Sequence, residues 1–403
     1  MRRDHRQRRD HRHLARRCPG RSCAHRRHRH DQHLLRRRRS ADGVHHRVEQ
    51  RPPHLDALAV RGATARPPVN VALVDLGGHV DPGSPVDREV ARAVDAACRE
   101  LGFVRIVGHG VPADVRRDAM RAALDFFDLP IEARLAVAMP EVGYPYGYNP
   151  FSAEALERSL GTAGVVDLKE TFNIGPIDPP PRPLAEMSDP DERAVYASNR
   201  WPDQHLPDFR PALERYYRAM AGLSARLMEV FAVALGLPVD HFAGLIDRHG
   251  SALRLAHYPA LDRPPLPGQL RAGAHTDYGT LTVLATDGEP GLQVRDRAGT
   301  WLDVEPVVDG FVVNLGDLME RWTNDRWRST MHRVVVPEDD PGRRRLSLPF
   351  FHNANWDARI ECLTGPGESP RHPPVLAGAH LMSKFRSTVT EPGRPDRHDP
   401  PVA

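Results

Sequence analysis

The 403-residue chain has only four cysteines, Cys18, Cys23, Cys98 and Cys362, too few and too scattered for a disulfide framework. A reducing, cytoplasmic setting is therefore expected. Cys18 and Cys23 lie among histidines, but a C-x4-C spacing with no ordered histidine pair is poor support for a zinc site. The chain also has no run of about 18 apolar residues, so no membrane-spanning helix is expected. No apolar stretch follows the N-terminal charges, which excludes a secretory signal. Serine is too scarce there, and an amphipathic face too plainly missing, for an organelle transit peptide.

Negative charge is sparse at the N terminus alone. Residues 1 to 50 hold 17 Arg against 5 acidic residues, a surplus of 12, while the whole chain carries +3, which leaves −9 for residues 51 to 403. The body is acidic, which argues against a nucleic-acid-binding role for it. The first 60 residues lack apolar periodicity and are expected to be disordered. They are either a basic arm that touches nucleic acid or, more simply, a gene start extended upstream of a protein that begins near Val60 or Val69. Residues 387 to 403, rich in proline and charge, are expected to form a disordered tail.

Between these ends the pattern is that of a folded protein. Residues 69–76 form a short apolar run stopped by Gly77-Gly78, which reads as a strand. Ser84-Pro85 reads as a helix start with serine as the cap, and apolar residues follow at helical spacing from Val90 to Leu101. Residues 103–107 read as a strand closed by Gly108-His109-Gly110, and a second helix follows Pro112 through Phe127. Tyr144, Tyr146 and Tyr148 sit in a stretch rich in glycine and proline, where they either line a pocket mouth or pack the loop onto the body. Residues 167–174 resume strand character. A long scaffold helix is expected over residues 211–235, stopped by Gly236-Leu237-Pro238, and strands dominate from 252 to about 362. An N-terminal region of residues 69–200 thus precedes a strand-rich core of residues 201–386.

The chemistry concentrates in that core. In Ala274-His275-Thr276-Asp277, His275 and Asp277 stand two apart, so if one strand runs on through residue 284 both side chains leave the same face. A second imidazole would complete the two-histidine, one-carboxylate set of non-haem iron(II) sites, which leaves the remaining positions open. His332, 57 positions later, opens another apolar strand and can supply it. The same triplet recurs at His54–Asp56 and His79–Asp81, but beside a Pro-Pro pair and in a Gly/Pro-rich turn, with no strand to aim the side chains. Thirteen positions beyond His332, Arg345 and Ser347 again share a face. A guanidinium fork beside a hydroxyl suits the far carboxylate of a dicarboxylic cosubstrate. On the same alternation Arg343 shares the face of Arg345 and is positioned to substitute for it, while Arg344 points the other way.

Taken in this order, these residues resemble the iron(II)- and 2-oxoglutarate-dependent dioxygenases of the isopenicillin N synthase-like subgroup. His275, Asp277 and His332 match the family's metal triad, and Arg345 and Ser347 match its Arg-x-Ser carboxylate clamp. Ala256-His257-Tyr258-Pro259 resembles the family's Asn-Tyr-Tyr-Pro region, with the first two residues replaced, and places Tyr258 at the tyrosine that assists cosubstrate binding. The segment from Leu101-Gly102-Phe103 to Val111-Pro112 resembles the family's N-terminal region, so the likeness covers roughly residues 69–386.

The resemblance implies a mainly β fold with flanking helices: a distorted double-stranded β-helix, or jelly roll, with an N-terminal helix-containing region. It implies Fe(II) as the metal and 2-oxoglutarate and O2 as cosubstrates. The reaction implied oxidises, and in most relatives hydroxylates, a small-molecule substrate with release of succinate and CO2. Oxidative ring closure, desaturation and ethylene formation are alternatives within the enzymes. A non-catalytic jelly-roll binding module is the alternative of another class; its expected mark is a lost ligand, and none is lost. His109, His257 and His352 are read as structural or supporting groups. Substrate and oligomeric state stay open.

Overall fold

In the computed structural model the described residues are 71–77, 84–141, 143–157, 165–262, 264–337 and 342–389. The basic arm, Cys18 and Cys23, the spare triplets at His54 and His79, and residues 390–403 of the expected 387–403 tail lie outside them, while residues 387–389 are helical. The N-terminal strand shortens to β1 (Leu73–Asp75). Helix α1 (Arg88–Glu100) buries Ala91, Val94, Ala97 and Cys98 on one stripe, as the spacing requires. Its cap is Asp87 rather than the expected Ser84: the Asp87 carboxylate accepts from the Glu89 amide at 2.7 Å. Pro85 disfavours helical geometry in the residue before it, and Asp87 supplies both a cap and negative charge where the helix dipole favours it.

Strand β2 (Phe103–Val107), α2 (Ala113–Phe127) and the short α3 (Ile131–Leu135) follow, then β3 (Gly147–Asn149) and β4 (Glu170–Ile174). Of the three loop tyrosines, Tyr148 belongs to β3. Its hydroxyl donates to Glu170 at 2.5 Å, that of Tyr146 donates to the Val195 carbonyl at 2.5 Å, and that of Tyr144 to the Ser198 carbonyl. These tyrosines pack the loop onto the body instead of lining a pocket mouth. Helix α4 (Pro190–Val195) precedes the long α5 (Phe209–Ala234), and α6 (Ala243–Ile246) leads into the strand-rich half.

That half comprises β5 (Ala252–Tyr258), β6 (Ala272–His275), β7 (Leu281–Thr286), β8 (Leu292–Arg295), β9 (Trp301–Asp303) and β10 (Phe311–Leu315). After α7 (Asp317–Trp322) come β11 (His332–Val334), β12 (Arg345–His352), the paired β13 (Arg359–Ile360) and β14 (Val375–Leu376), and α8 (Ala377–Val389). Eight strands form one sheet in the order β1-β2-β10-β7-β12-β5-β4-β3, and four form a second in the order β6-β11-β8-β9. Between these strands all pairings are antiparallel except β1 with β2.

The two sheets make the distorted jelly roll. Phe103, Ala256, Tyr258 and Val312 of the large sheet share a small apolar cluster with Ala272, Leu292, Val294 and Val334 of the small one. The opposite face of the large sheet carries the main core, where Leu253, Leu255, Val283, Val313, Leu346 and Leu348 meet the buried stripes of α1, α2 and α5. Alternate residues of one strand therefore serve two cores. Among the described residues no helix is long and apolar enough to cross a membrane.

Trp327, fully buried, sets its ring edge against Phe231 of α5 at 5.1 Å and donates its indole N–H to Asp95 at 2.8 Å. Trp327→Ala would leave a cavity and take the indole donor from Asp95 Oδ1, while Oδ2 keeps its bond from Arg99 at 2.8 Å. It is expected to cost about 3–5 kcal/mol, read as a lower denaturant midpoint at unchanged slope.

Candidate functional site

The small sheet presents the two imidazoles. His332 on β11 is the direct cross-strand neighbour of His275 on β6, and the rings lie 4.3 Å apart. Asp277 arrives differently from the expectation. Strand β6 ends at His275 and β7 begins at Leu281, so residues 276–280 form a turn that leaves the small sheet for the large one. The carboxylate meets the imidazoles because this turn is pinned, not because one strand carries both residues. The Asp317 amide donates to the Asp277 carbonyl at 2.8 Å, and the Thr280 amide to the His352 carbonyl at 3.0 Å. Gly316 lets the chains touch: a Cβ there would fall 2.3 Å from the Gly279 carbonyl oxygen.

Among the described residues His275, Asp277 and His332 form a group whose ligand atoms all lie within 4.8 Å of one another. Asp277 Oδ1 stands 3.9 Å from His275 Nε2 and 3.8 Å from His332 Nε2, too far for hydrogen bonds and suited to a shared cation. The acceptors behind them fix the tautomers. His275 Nδ1 donates to the Gly273 carbonyl at 2.7 Å and His332 Nδ1 to the Thr330 carbonyl at 3.1 Å, so each Nε2 keeps its lone pair for a metal. Burial, with the neighbouring His332, pushes the His275 imidazole down to about 3, which keeps it neutral. Burial alone would raise the Asp277 carboxyl, but His332, His275 and two hydrogen bonds hold it below the ordinary carboxylate value.

Those two bonds come from residues that sequence reasoning missed. Thr282 Oγ1 and Asn314 Nδ2 donate to Asp277 Oδ2 at 2.5 and 2.7 Å, which leaves Oδ1 facing the imidazoles. The signal was a polar residue inside an otherwise apolar strand, Phe311-Val-Val-Asn-Leu315. Asn314→Ala should free the carboxylate to turn and weaken binding of a divalent transition metal by about 10–100-fold, measured by anaerobic calorimetry.

Arg345, Ser347 and Tyr258 line the same cleft as the triad, in a space of about 600 Å³ that includes solvent at its mouth. Arg345 is 1% exposed, donates from Nε to the Glu289 carbonyl at 3.2 Å, and lies 5.2 Å from the centre of the Tyr258 ring. Its Nη1 is buried with no hydrogen-bond partner among the described residues. A buried charged donor without an acceptor is costly, and a ligand carboxylate would satisfy it. Arg343 does not share this face. It precedes β12, its side chain is 68% exposed, and it reaches out to Glu289, because strand alternation does not extend upstream of Arg345. Arg344 pairs with Asp128 at 2.7 Å.

The three set-aside histidines are bonded elsewhere and do not line the cleft. His109 meets the Asp309 carbonyl, His257 meets Glu170, and His352 meets the Thr280 hydroxyl.

Comparison with known proteins agrees with this geometry. Residues 71–204 match the family model for the N-terminal region of the non-haem dioxygenases in morphine synthesis, and residues 249–354 match that of the 2OG-Fe(II) oxygenase superfamily. A 2-oxoglutarate-Fe(II) type oxidoreductase of Emericella nidulans, hxnY, is 34% identical over 79% of this chain and 92% of its own length. The crystal structure of a full-length Neurospora crassa protein in complex with alpha-KG and thymine superposes with a TM-score of 0.67 at 29% identity, over 79% of this chain and 97% of that one. The structure of JOX2 with 2OG, Fe and JA gives 0.60 at 27% identity, over 80% and 91%. With this degree of likeness over most of its length, the chain belongs to the iron(II)- and 2-oxoglutarate-dependent oxygenases.

Proposed function

We propose that His275, Asp277 and His332 hold the iron(II), that Arg345 with Ser347 and Tyr258 holds the far carboxylate of 2-oxoglutarate, and that the protein hydroxylates a small molecule in the cleft. One observation carries the reading: two lone-pair imidazoles and a charged carboxylate converge in the same cleft that holds a buried guanidinium whose Nη1 lacks an acceptor among the described residues. The donor set fits the metal, since two imidazoles and one carboxylate are what non-haem iron(II) takes. The orphaned Nη1 fits a dicarboxylate.

Iron(II) held by the triad would supply the redox chemistry by which O2 oxidatively decarboxylates 2-oxoglutarate to succinate and CO2, one oxygen atom entering succinate and the other a substrate C–H bond as a hydroxyl. The chain does the rest. The Gly273 and Thr330 carbonyls fix the imidazoles, and Thr282 and Asn314 fix the carboxylate. Arg345 sets the cosubstrate's reach along β12, and Phe103, Leu284, Leu292 and Val334 wall the cleft against water.

Incubation of the purified protein with iron(II), 2-oxoglutarate and air should release succinate above an iron-free control, slowly without substrate and faster when a substrate is added. No succinate above the control under either condition would overturn the reading and favour a cyclase that dispenses with 2-oxoglutarate.

A further inference from the structure

The cleft has a second cationic end for which the cosubstrate has no use. Ser347 pairs with Ala256 and Phe350 with Leu253, so Arg254 of β5 stands across from Pro349 of β12. That is four residues, or about 13 Å, along the strand from Arg345. Arg254 and Lys169 both line the cleft there, with Leu156 and Phe351. Lys169 is 3% exposed, and its ammonium lies 2.7 Å from Asp167 and 3.1 Å from Glu154. Arg254 donates from Nε to Asn173 at 2.9 Å, reaches Glu154 at 3.3 Å, and sets its guanidinium 5.8 Å from the Phe351 ring centre.

The charges of these four groups cancel, but their placement does not. Neither Glu154 nor Asp167 lines the cleft, and among the described residues Asp277 is the only acidic one that does. The acids therefore back the bases, and the cations face the cavity. Burial works against the charge on Lys169, yet Glu154 and Asp167 outweigh it and raise its pKa, so it stays an ammonium. The bonds from Arg254 to Asn173 and Glu154 engage two of the five N–H donors a guanidinium carries. A cationic compound seated here would meet two like charges, and a neutral one would return at most an uncharged acceptor, whereas a carboxylate returns a charged oxygen to each head.

We propose that the primary substrate is a small carboxylic acid whose carboxylate docks between Lys169 and Arg254, its apolar body passing Leu156 and Phe351 toward the triad. This rests on the reading of the site as an iron and 2-oxoglutarate centre. The same carboxylate chemistry could come from a second molecule of 2-oxoglutarate or from succinate, so the test first fills the Arg345 end.

Iron(II)-loaded protein, held anaerobic and saturated with N-oxalylglycine, is titrated calorimetrically with butanoate, hexanoate, benzoate, cyclohexanecarboxylate and 3-phenylpropanoate, each beside its primary amide. At least one acid should bind, with its amide weaker by about tenfold or more, as loss of charge-assisted bonds requires. Arg254→Gln should weaken the acid by a similar factor and leave its amide unchanged, with Arg254→Lys between. Succinate added in place of the acids should bind no more tightly than the best of them. The assignment is overturned if acid and amide bind alike, if Arg254→Gln weakens both equally, if acids bind only when N-oxalylglycine is left out, or if no acid binds. Succinate release from 2-oxoglutarate by the same wild-type preparation judges the underlying reading separately: release without acid preference sinks the substrate assignment alone, and no release sinks the iron and 2-oxoglutarate reading.

Discussion

Arg345→Ala is expected to raise the Michaelis constant for 2-oxoglutarate by roughly one to two orders of magnitude, since charge-assisted hydrogen bonds contribute about 1.5–3 kcal/mol each. The guanidinium is buried, anchored through Nε on the Glu289 carbonyl, and its Nη1 has no partner among the described residues. Anchoring leaves the fork little freedom, so the geometry that meets a carboxylate is present before the ligand arrives. Arg345→Lys keeps the charge and loses the fork, and should fall between wild type and alanine. Arg343→Ala is the control: its side chain is exposed and turned to Glu289, so the constant should stay at the wild-type value. An increase in Arg343→Ala alone would move the clamp two residues upstream, against the geometry of β12.

His332→Ala should abolish turnover and strip the iron while the protein stays folded. The backbone pairs of β11 with β6 and β8 do not depend on the imidazole, and the packing lost is an edge contact with Phe103 at 5.5 Å and the ring contact with His275 at 4.3 Å. Circular dichroism and the denaturant midpoint report the fold, and elemental analysis after gel filtration reports the iron. A His332→Ala protein with full iron content and full activity would show that the triad is wrong.

The sequence exposes those parts of the site that depend on residue type and strand setting. His275, His332, Arg345 and Ser347 all lie within strands, at or near an end, where alternation fixes direction. Asp277 is reached from the sequence by the wrong device. Alternation predicts a continued strand, whereas the chain crosses between sheets and a turn aims the carboxylate, an arrangement set by contacts with residues 316, 317 and 352 that no local pattern reveals. Arg343 misleads for the same reason, because alternation is extended past the end of a strand.

Helices α1, α2 and α5 are legible from their apolar stripes, as is the split between a helical first part and a strand-rich second. Helix α8, which mixes small, polar and apolar residues, is not. Nor are Asn314 and Thr282, whose role exists only once β10 and β7 lie side by side, with Asn314 opposite Thr282. Lys169 and Arg254 look like ordinary strand charges until the cleft shows that their acid partners stand behind them.

The central claim is that one cleft binds iron(II) through His275, Asp277 and His332 and 2-oxoglutarate beside it. An anaerobic titration of the wild-type protein with iron(II), followed by visible absorption with and without 2-oxoglutarate, tests it most directly. One iron per chain should bind, and a charge-transfer band that neither iron nor 2-oxoglutarate gives alone should grow to saturation at one equivalent of iron. Failure to retain iron, or retention with no band at any 2-oxoglutarate concentration, would contradict it.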